Sequence, residues 1–521
     1  MKERNSTKTV LVFDIGTQST RAMVIDSSGL VLSKAKLEHD PAYYRIGIDW
    51  AEQEADFYYE MICKAAKRCK TENPKAWEKI EAVSITTIRD TCVCVDEDGK
   101  PLRTAILWLD KRKASEGPRL DLQRKALFKM SGMEETVSVQ YAKSHCNWIM
   151  ENQPDIWKKT HKFLMLSGYM IYKMTGRFVD VDASLVGHIP FNFKERRWQS
   201  PKELTWPVFP IEKEKLCLVV PTGTVLGHVT KQMSADSGLN EGLPVIGTGA
   251  DKACEILGLG CVKEDEAALG LGTAATISLM TSQYVGPERF IPPYAAVIPG
   301  RYNPECEIYR GYWLISWFKK EFAALETAQA EKEGISVEAL LNRQLAQVPA
   351  GCDGLILQPY FTPNITMPTA KGAIVGFSDV HTRMHLYRAI IEGVNFALMD
   401  GLNLIEKRAN KKIKRILIGG GGSQSDEICQ ITADMFGMPV IRRKEYECTA
   451  IGSAISMFVA LGVYKSFEEA VEQMVHDDRT FQPNAVRQAV YEELYDQVYK
   501  DLYGRLKPVY RKLHGIYHKE K

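Results

Sequence analysis

A chain of 521 residues with a net charge of +2 is too long for a single core and too evenly charged for a nucleic-acid-binding surface. Its 12 cysteines include no C-x-x-C pair, which argues against a zinc site or a disulfide framework and for a reducing compartment. A polar N-terminus leading straight into a strand, with no apolar run of membrane-spanning length, predicts a soluble cytoplasmic protein with neither a membrane nor a nucleic-acid partner.

In chain order, the apolar alternation predicts strands over Val10 to Phe13, Ser19 to Ile25 and Leu30 to Ala35, the last two joined by the Asp26-Ser27-Ser28-Gly29 turn. A helix is predicted from Glu52 to about Lys70. Strands follow at Ile80 to Ile88, Thr91 to Val95 and Ala105 to Leu109, with a turn at Asp96-Glu97-Asp98-Gly99 and helical segments through much of 111 to 175. Cys92 and Cys94 alternate on one strand and so face one side, as core or pocket-wall residues. Further on, Pro244 to Thr248 reads as a strand and Lys252 to Leu257 as a helix start. Arg415 to Ile418 reads as a strand, Ser425 to Phe436 as a helix, Met438 to Arg442 as a strand and Ala450 to Leu461 as a helix. The basic run Lys411 to Arg415 is broken by Ile413 and reads as a solvated element end. Hairpins followed by alternating helix and strand give α/β layers with a mixed sheet, and the domain boundary is expected between Lys231 and Asp251.

The chain echoes itself. Val10 to Arg21 reads V-L-V-F-D-I-G-T-Q-S-T-R, and Leu269 to Thr276 reads L-G-L-G-T-A-A-T, running on into apolar Ile277 to Met280. Each is a strand ending in Gly-Thr before a second strand. Such a turn offers backbone N–H groups and a hydroxyl to a phosphate, although either copy alone is also an ordinary tight turn. Asp14 is a carboxylate in an apolar strand, which is costly unless it is paired or near a cation. Asp14 with Gly16, Thr17 and Arg21 is therefore a candidate phosphate and Mg²⁺ site, and Gly272 with Thr273 is its counterpart. Asp251, in Gly249-Ala250-Asp251-Lys252, reads either as the N-cap of the following helix or as a general base. Gly419 to Gly422 leave a flat surface against which an adenosine could lie, or form only a flexible loop. The run matches neither the Rossmann fingerprint nor a P-loop.

Taken together, these pieces resemble the FGGY carbohydrate kinase family, which contains glycerol kinase and xylulokinase. The resemblance runs nearly end to end. It rests on D-I-G-T-Q-S-T-R at 14–21, D-W-A-E-Q at 49–53, I-L-W-L-D-K-R at 106–112, and T-G-R-F-V-D-V-D-A-S at 175–184. It continues through G-A-D-K-A at 249–253, L-G-T at 271–273, G-G-G-G-S-Q-S-D at 419–426 and A-I-G-S-A-I at 450–455. No single piece is specific; their order and spacing together are.

The resemblance implies two ribonuclease-H-like (actin-like ATPase) domains with a cleft between them. Residues 1–247 would bind mainly sugar or polyol and 248–521 mainly ATP. It implies Asp251 as catalytic base and substrate contact, Asp14 and Asp251 as metal-associated carboxylates, and ATP with Mg²⁺ as cofactors. Asp14, Gly16, Thr17, Gln18 and Arg21 fall on the first phosphate loop, Gly272 and Thr273 on the second, and Gly421, Gly422 and Ser425 on the adenosine pocket. For the substrate it implies Arg89, Asp90, Trp108 and Tyr141, a set suited to a small polyol or ketose. Two positions depart from glycerol kinases: Asp90 is one methylene shorter than their Glu, and His145 stands in place of a signature lysine. Trp313 reads as a core residue or as a wall of the sugar end. An actin-like ATPase scaffold or a silent sugar-binding regulator would share the phosphate hairpins. A homodimer is compatible with the resemblance, and no segment reads as an obligate interface.

Overall fold

A computed structural model of the chain describes residues 8–517 apart from 48, 288–290 and 364–366. It divides into two compact units. The first comprises Met1–Gly260, Tyr294–Tyr302 and Glu447–Val475; the second comprises Cys261–Pro293, Asn303–Tyr446 and His476–Lys521. The expected boundary at 247/248 falls inside the first unit, which keeps Asp251 and its helix.

The first unit is built on a six-stranded sheet. Strands β1 (Thr9–Ile15), β2 (Ser19–Asp26) and β3 (Val31–Glu38) form an antiparallel meander. On the other side of β1, β4 (Ile80–Thr87) runs parallel to it. Strand β6 (Pro244–Ile246) is parallel to β4, and β5 (Val225–His228) closes the edge antiparallel to β6, so the order is β5-β6-β4-β1-β2-β3. Every residue of β1 is buried, as a strand covered on both faces requires. Helix α1 (Ala55–Glu72) covers part of the sheet with Tyr58, Ile62, Ala65 and Cys69 in the core. It starts later than the helical periodicity suggested, because Glu52–Gln53 pair as a short strand with Ala105–Ile106. The Glu52 carboxylate is fixed there by Arg103 and Arg112, each at 2.6 Å. The strand expected over Ala105 to Leu109 is likewise cut to two residues. Asp110 accepts from the N–H of Ala51 at 2.6 Å and grips Arg112, turning the chain at Trp108.

In the second unit, β7 (Glu266–Leu271), β8 (Ala275–Leu279) and β9 (Glu305–Ile308) form a second antiparallel meander. Strand β10 (Arg415–Gly419) is parallel to β7, β11 (Val440–Arg443) is parallel to β10, and β12 (Asp477–Phe481) is antiparallel to β11. The order β9-β8-β7-β10-β11-β12 repeats the strand directions of the first sheet one for one. Helices α3 (Trp313–Phe322), α4 (Arg383–Ala409) and α5 (Asp426–Phe436) contribute to its core. The basic run at 411 to 415 is an ion-paired edge: Lys411, Lys412, Lys414 and Arg415 meet Glu264, Glu406, Asp265 and Glu266 in turn.

The chain then returns to the first unit as α6 (Cys448–Ala460). This helix packs directly on α2 (Asp251–Gly258). A Cβ on Gly258 would stand 1.7 Å from the carbonyl oxygen of Cys448, and one on Gly452 would stand 1.9 Å from that of Cys254. The two backbones therefore touch with no room for any side chain. Ser453 of α6 shares hydroxyl hydrogen bonds with Ser84 of β4 at 2.7 Å and Thr248 at 2.9 Å.

Candidate active site

Three parallel strands of the first unit, β1, β4 and β6, end at the same edge of the sheet, where α/β folds place ligands. Asp14 lies at the end of β1, Arg89-Asp90 just beyond β4, and Asp251 just beyond β6 at the start of α2. Alternation along β1 and β2 sets Asp14 opposite Arg21, and the guanidinium meets the carboxylate at 3.0 Å. Burial raises the Asp14 pKa to about 6 despite Arg21, with the charges of Asp251 and Glu447 adding to the rise. Arg21 also faces Glu447 at 3.8 Å, and Glu447 pairs with Lys34. Neither partnership is visible in the sequence, because Glu447 reaches the site only through the return of the chain.

Asp251 is the first residue of α2, and the N-cap position belongs to Ala250. The capping alternative is thus set aside: no hydroxyl or carboxylate cap closes this helix. The Oδ1 of Asp251 accepts from the N–H of Lys252 at 2.7 Å and lies 3.9 Å from the Nε of Arg89. Its side chain stays 30% exposed, so it is accessible to a substrate. Burial outweighs Arg89 and Lys252 in setting its pKa, which is raised. The Arg89 guanidinium in turn lies 5.6 Å from the centre of the Tyr294 ring.

The turn after β1 is tightly held. The N–H of Gly16 donates to the carbonyl of Ser19 at 2.9 Å, and the carbonyl of Gln18 accepts from the N–H of His39 at 2.8 Å. The Thr17 hydroxyl accepts from the indole Nε1 of Trp108 at 2.9 Å, so Trp108 reaches the first Gly-Thr hairpin as well as the sheet core. Asp90 takes a left-handed conformation (φ 49°). Both of its carboxylate oxygens face His188, whose ring Nδ1 lies 2.9 Å from Oδ2. Burial raises the Asp90 pKa, but His188 and His145 outweigh it and hold the carboxylate below its usual range. Tyr141 is directed elsewhere. It is buried beside Phe128 and Trp148, and its hydroxyl donates to Glu151 at 3.1 Å. Cys92 and Cys94 sit in the same core, as their alternation implied.

The second unit holds the remaining candidates. Gly272 and Thr273 form the turn from β7 to β8. Their carbonyls accept from the N–H groups of Tyr312 at 3.1 Å and Trp313 at 3.2 Å, closing the start of α3. The Gly419 to Gly422 run is ordered rather than a flexible loop: Gly421–Gln424 form a 3₁₀ turn, and the Ser423 hydroxyl donates to the Gly420 carbonyl at 2.7 Å. Nothing stands within 4 Å of a Cβ position on Gly421, while one on Gly422 would meet the Tyr312 ring at 2.5 Å. Tyr312 thus ties the second Gly-Thr turn to the glycine run. Ser425 caps α5 by accepting from the N–H of Ile428 at 3.2 Å. Trp313 packs against the core of the second unit, the bland alternative of the two considered for it.

Two glycine-threonine hairpins on repeated sheets, with a carboxylate at the end of the first strand, are what the sequence resemblance implied, and comparison with known proteins agrees. The N-terminal domain description of the FGGY family of carbohydrate kinases matches residues 9–258, and the C-terminal domain description matches residues 267–461. The chain belongs to the FGGY family of carbohydrate kinases. This FGGY kinase is 28% identical to the uncharacterized sugar kinase YgcE of Escherichia coli, over 99% of this chain and 97% of that one. It is 25% identical to a xylulose kinase of Lactococcus lactis, over 95% and 96% of the two chains. Among solved structures, xylulose kinase from Rhodospirillum rubrum superposes with a TM-score of 0.80 at 23% identity, covering 97% of this chain and 100% of that one. Plasmodium falciparum glycerol kinase with ADP superposes with a TM-score of 0.77 at 18% identity, covering 96% and 99%. The repeated sheets are thus the two-domain actin-like ATPase fold. The protein is a carbohydrate kinase, a phosphotransferase that uses ATP as phosphate donor. Among the described residues, no helix is long and apolar enough to cross a membrane.

Proposed function

We propose that this FGGY kinase transfers the γ-phosphoryl group of ATP to a hydroxyl of a small polyol or ketose, with Asp251 as the general base. The observation that carries this reading is the Arg89 guanidinium 3.9 Å from a partly exposed Asp251 carboxylate, at the ends of adjacent parallel strands. A carboxylate whose pKa is raised by burial is a stronger base than a free one and is suited to accept a hydroxyl proton as the O–P bond forms. The arginine beside it orients an adjacent substrate oxygen, and positioning of this kind supplies much of the acceleration in phosphoryl transfer. Trp108 and Arg89 form the walls nearest to Asp251 and the first hairpin. A pentulose such as xylulose is the second reading, favoured by the xylulose kinases among the relatives.

In this reading Gly16, Thr17, Gln18 and Arg21 are the phosphate-binding residues of the first unit, and Gly272 with Thr273 are those of the second. The open face of Gly421 with Gly422 and Ser425 takes the adenosine. Asp14 and Asp251 are carboxylates that sense each other's charge. Among the described residues no cluster of three or more metal-ligating side chains exists. Two carboxylates completed by water and phosphate oxygens suit Mg²⁺, which would offset charge on the transferring phosphoryl group. Among the described residues no disulfide joins any of the twelve cysteines, which supports a reducing, cytoplasmic setting.

The test is ATP turnover in a coupled ADP assay with glycerol, erythritol, D- and L-xylulose, D- and L-ribulose, xylitol, ribitol, arabinitol and D-gluconate. Strong stimulation by one neutral polyol or ketose is the expected result. Stimulation by gluconate alone, or by none, would overturn the substrate class.

A further inference from the structure

We propose that His188 is a specificity-determining residue of this kinase, its ring locked by Asp90 so that Nε2 meets a hydroxyl of the sugar. The inference rests on the polyol or ketose reading above and names the group that recognises that substrate. The resemblance assigned substrate binding to Asp90 itself. In the structure, however, both oxygens of this carboxylate face one residue: the backbone N–H of His188 at 3.5 Å from Oδ1, and ring Nδ1 at 2.9 Å from Oδ2. An ionised carboxylate only accepts, so Nδ1 carries the proton. The ring therefore leaves Nε2 as the free position, able to share a hydrogen bond with a hydroxyl, which both donates and accepts. No hydrogen bond to Nε2 is present among the described residues, and the side chain is 18% exposed.

Three further contacts show that this arrangement is built rather than incidental. Gly187 lies at φ 112°, and a Cβ there would stand 2.2 Å from the Oδ1 of Asp90, so only glycine lets the loop close on the carboxylate. The buried Ser144 hydroxyl donates to the His188 carbonyl at 3.2 Å, and the ring of Phe209 meets the imidazole edge-on with centroids 6.1 Å apart. The same loop is tied to the catalytic segment, because the Ala183 carbonyl accepts from the N–H of Ala250 at 3.1 Å, immediately before Asp251. His188 is thus fastened to Asp90, the residue after Arg89, while Ala183, five residues before it, is bonded to the residue before Asp251; Arg89 and Asp251 face each other across 3.9 Å. Asp90 acts through the histidine and is a positioning residue.

The experiment compares full-length wild type with His188→Phe, His188→Gln, Asp90→Asn and the His188→Phe/Asp90→Asn double variant. It measures KM for the most stimulating compound of the panel, KM for ATP, and kcat. We expect His188→Phe to raise the sugar KM about tenfold or more, the scale of one hydrogen bond to a neutral hydroxyl, with KM for ATP within about twofold. His188→Gln, whose amide oxygen can still accept, should recover part of the loss. Asp90→Asn should raise the sugar KM on its own yet add little to His188→Phe. A sugar KM within twofold of wild type in His188→Phe, or sugar and ATP KM values rising together, would overturn the role of His188. A wild type that no compound of the panel stimulates would overturn the substrate reading first, and the inference with it.

Discussion

Replacing Asp251 by Asn isolates the proposed base from the fold. Asparagine keeps the shape of the side chain and an oxygen for the Lys252 N–H now at 2.7 Å, but it removes the charge. The structural cost is small on three counts. The pair with Arg89 is long at 3.9 Å and its carboxylate is 30% exposed, so its contribution is at most about 1 kcal/mol. Burial already disfavours the charged form. Helix α2 is held by backbone contact with α6 rather than by its first residue. The melting temperature should therefore move by no more than about 4 °C. Loss of a positioned base costs roughly 10²–10⁴ in kcat, or about 3–5 kcal/mol of barrier. The coupled ADP assay with saturating sugar reads kcat, differential scanning fluorimetry reads the fold, and ATP binding should persist because Asp14 and both hairpins are untouched. A variant with kcat within about tenfold of wild type and an unchanged melting temperature would refute the assignment of Asp251 as base.

Gly258→Ala pushes a methyl to within 1.7 Å of the Cys448 carbonyl, so α2 and α6 must part; a loss of about 3 kcal/mol or more and a fall in sugar-dependent turnover are expected by thermal denaturation and ADP assay. Trp108→Phe removes the 2.9 Å bond to the Thr17 hydroxyl; KM for ATP should rise about fivefold with the fold intact, and an unchanged KM would separate Thr17 from phosphate binding. Asp180 is fully buried and accepts from Ser167 and from the N–H of Val181, yet burial raises its pKa to about 6 from 3.8. A folded-state pKa above the unfolded value means stability that is present below the ordinary carboxylate pKa and is lost as pH rises through about 6. Melting curves at pH 5 and pH 8 should thus show wild type losing roughly 1.4 kcal/mol that Asp180→Asn does not lose, and parallel pH dependence in the two proteins would count against a buried charge.

The hairpins, the carboxylate in the first strand and the repeat of one plan in two halves were legible because they are local. Alternation of apolar residues announces a strand, and Gly-Thr after a strand announces a turn, whatever the rest of the chain does. The same locality explains the misplaced element ends. The helix expected from Glu52 begins only at Ala55, and the strand expected to reach Leu109 stops at Ile106. In both cases a buried carboxylate with a partner distant in sequence overrides the local pattern: Glu52 binds Arg103 and Arg112, and Asp110 accepts from the N–H of Ala51.

What the sequence by itself determined is the list of chemical groups: Asp14, Thr17, Arg21, Arg89, Asp251 and the two Gly-Thr turns, each placed by strand periodicity at the end of an element. Only the tertiary structure decided which groups meet. It took Tyr141 to Glu151, gave both oxygens of Asp90 to His188, set Ala250 rather than Asp251 at the cap, and carried Glu447 with α6 back into the first unit. The physical reason is that a hydrogen bond or ion pair between residues far apart in the chain has no periodicity to announce it. It forms only after the burial of apolar strands has brought those segments together and excluded the water that would otherwise satisfy each polar group.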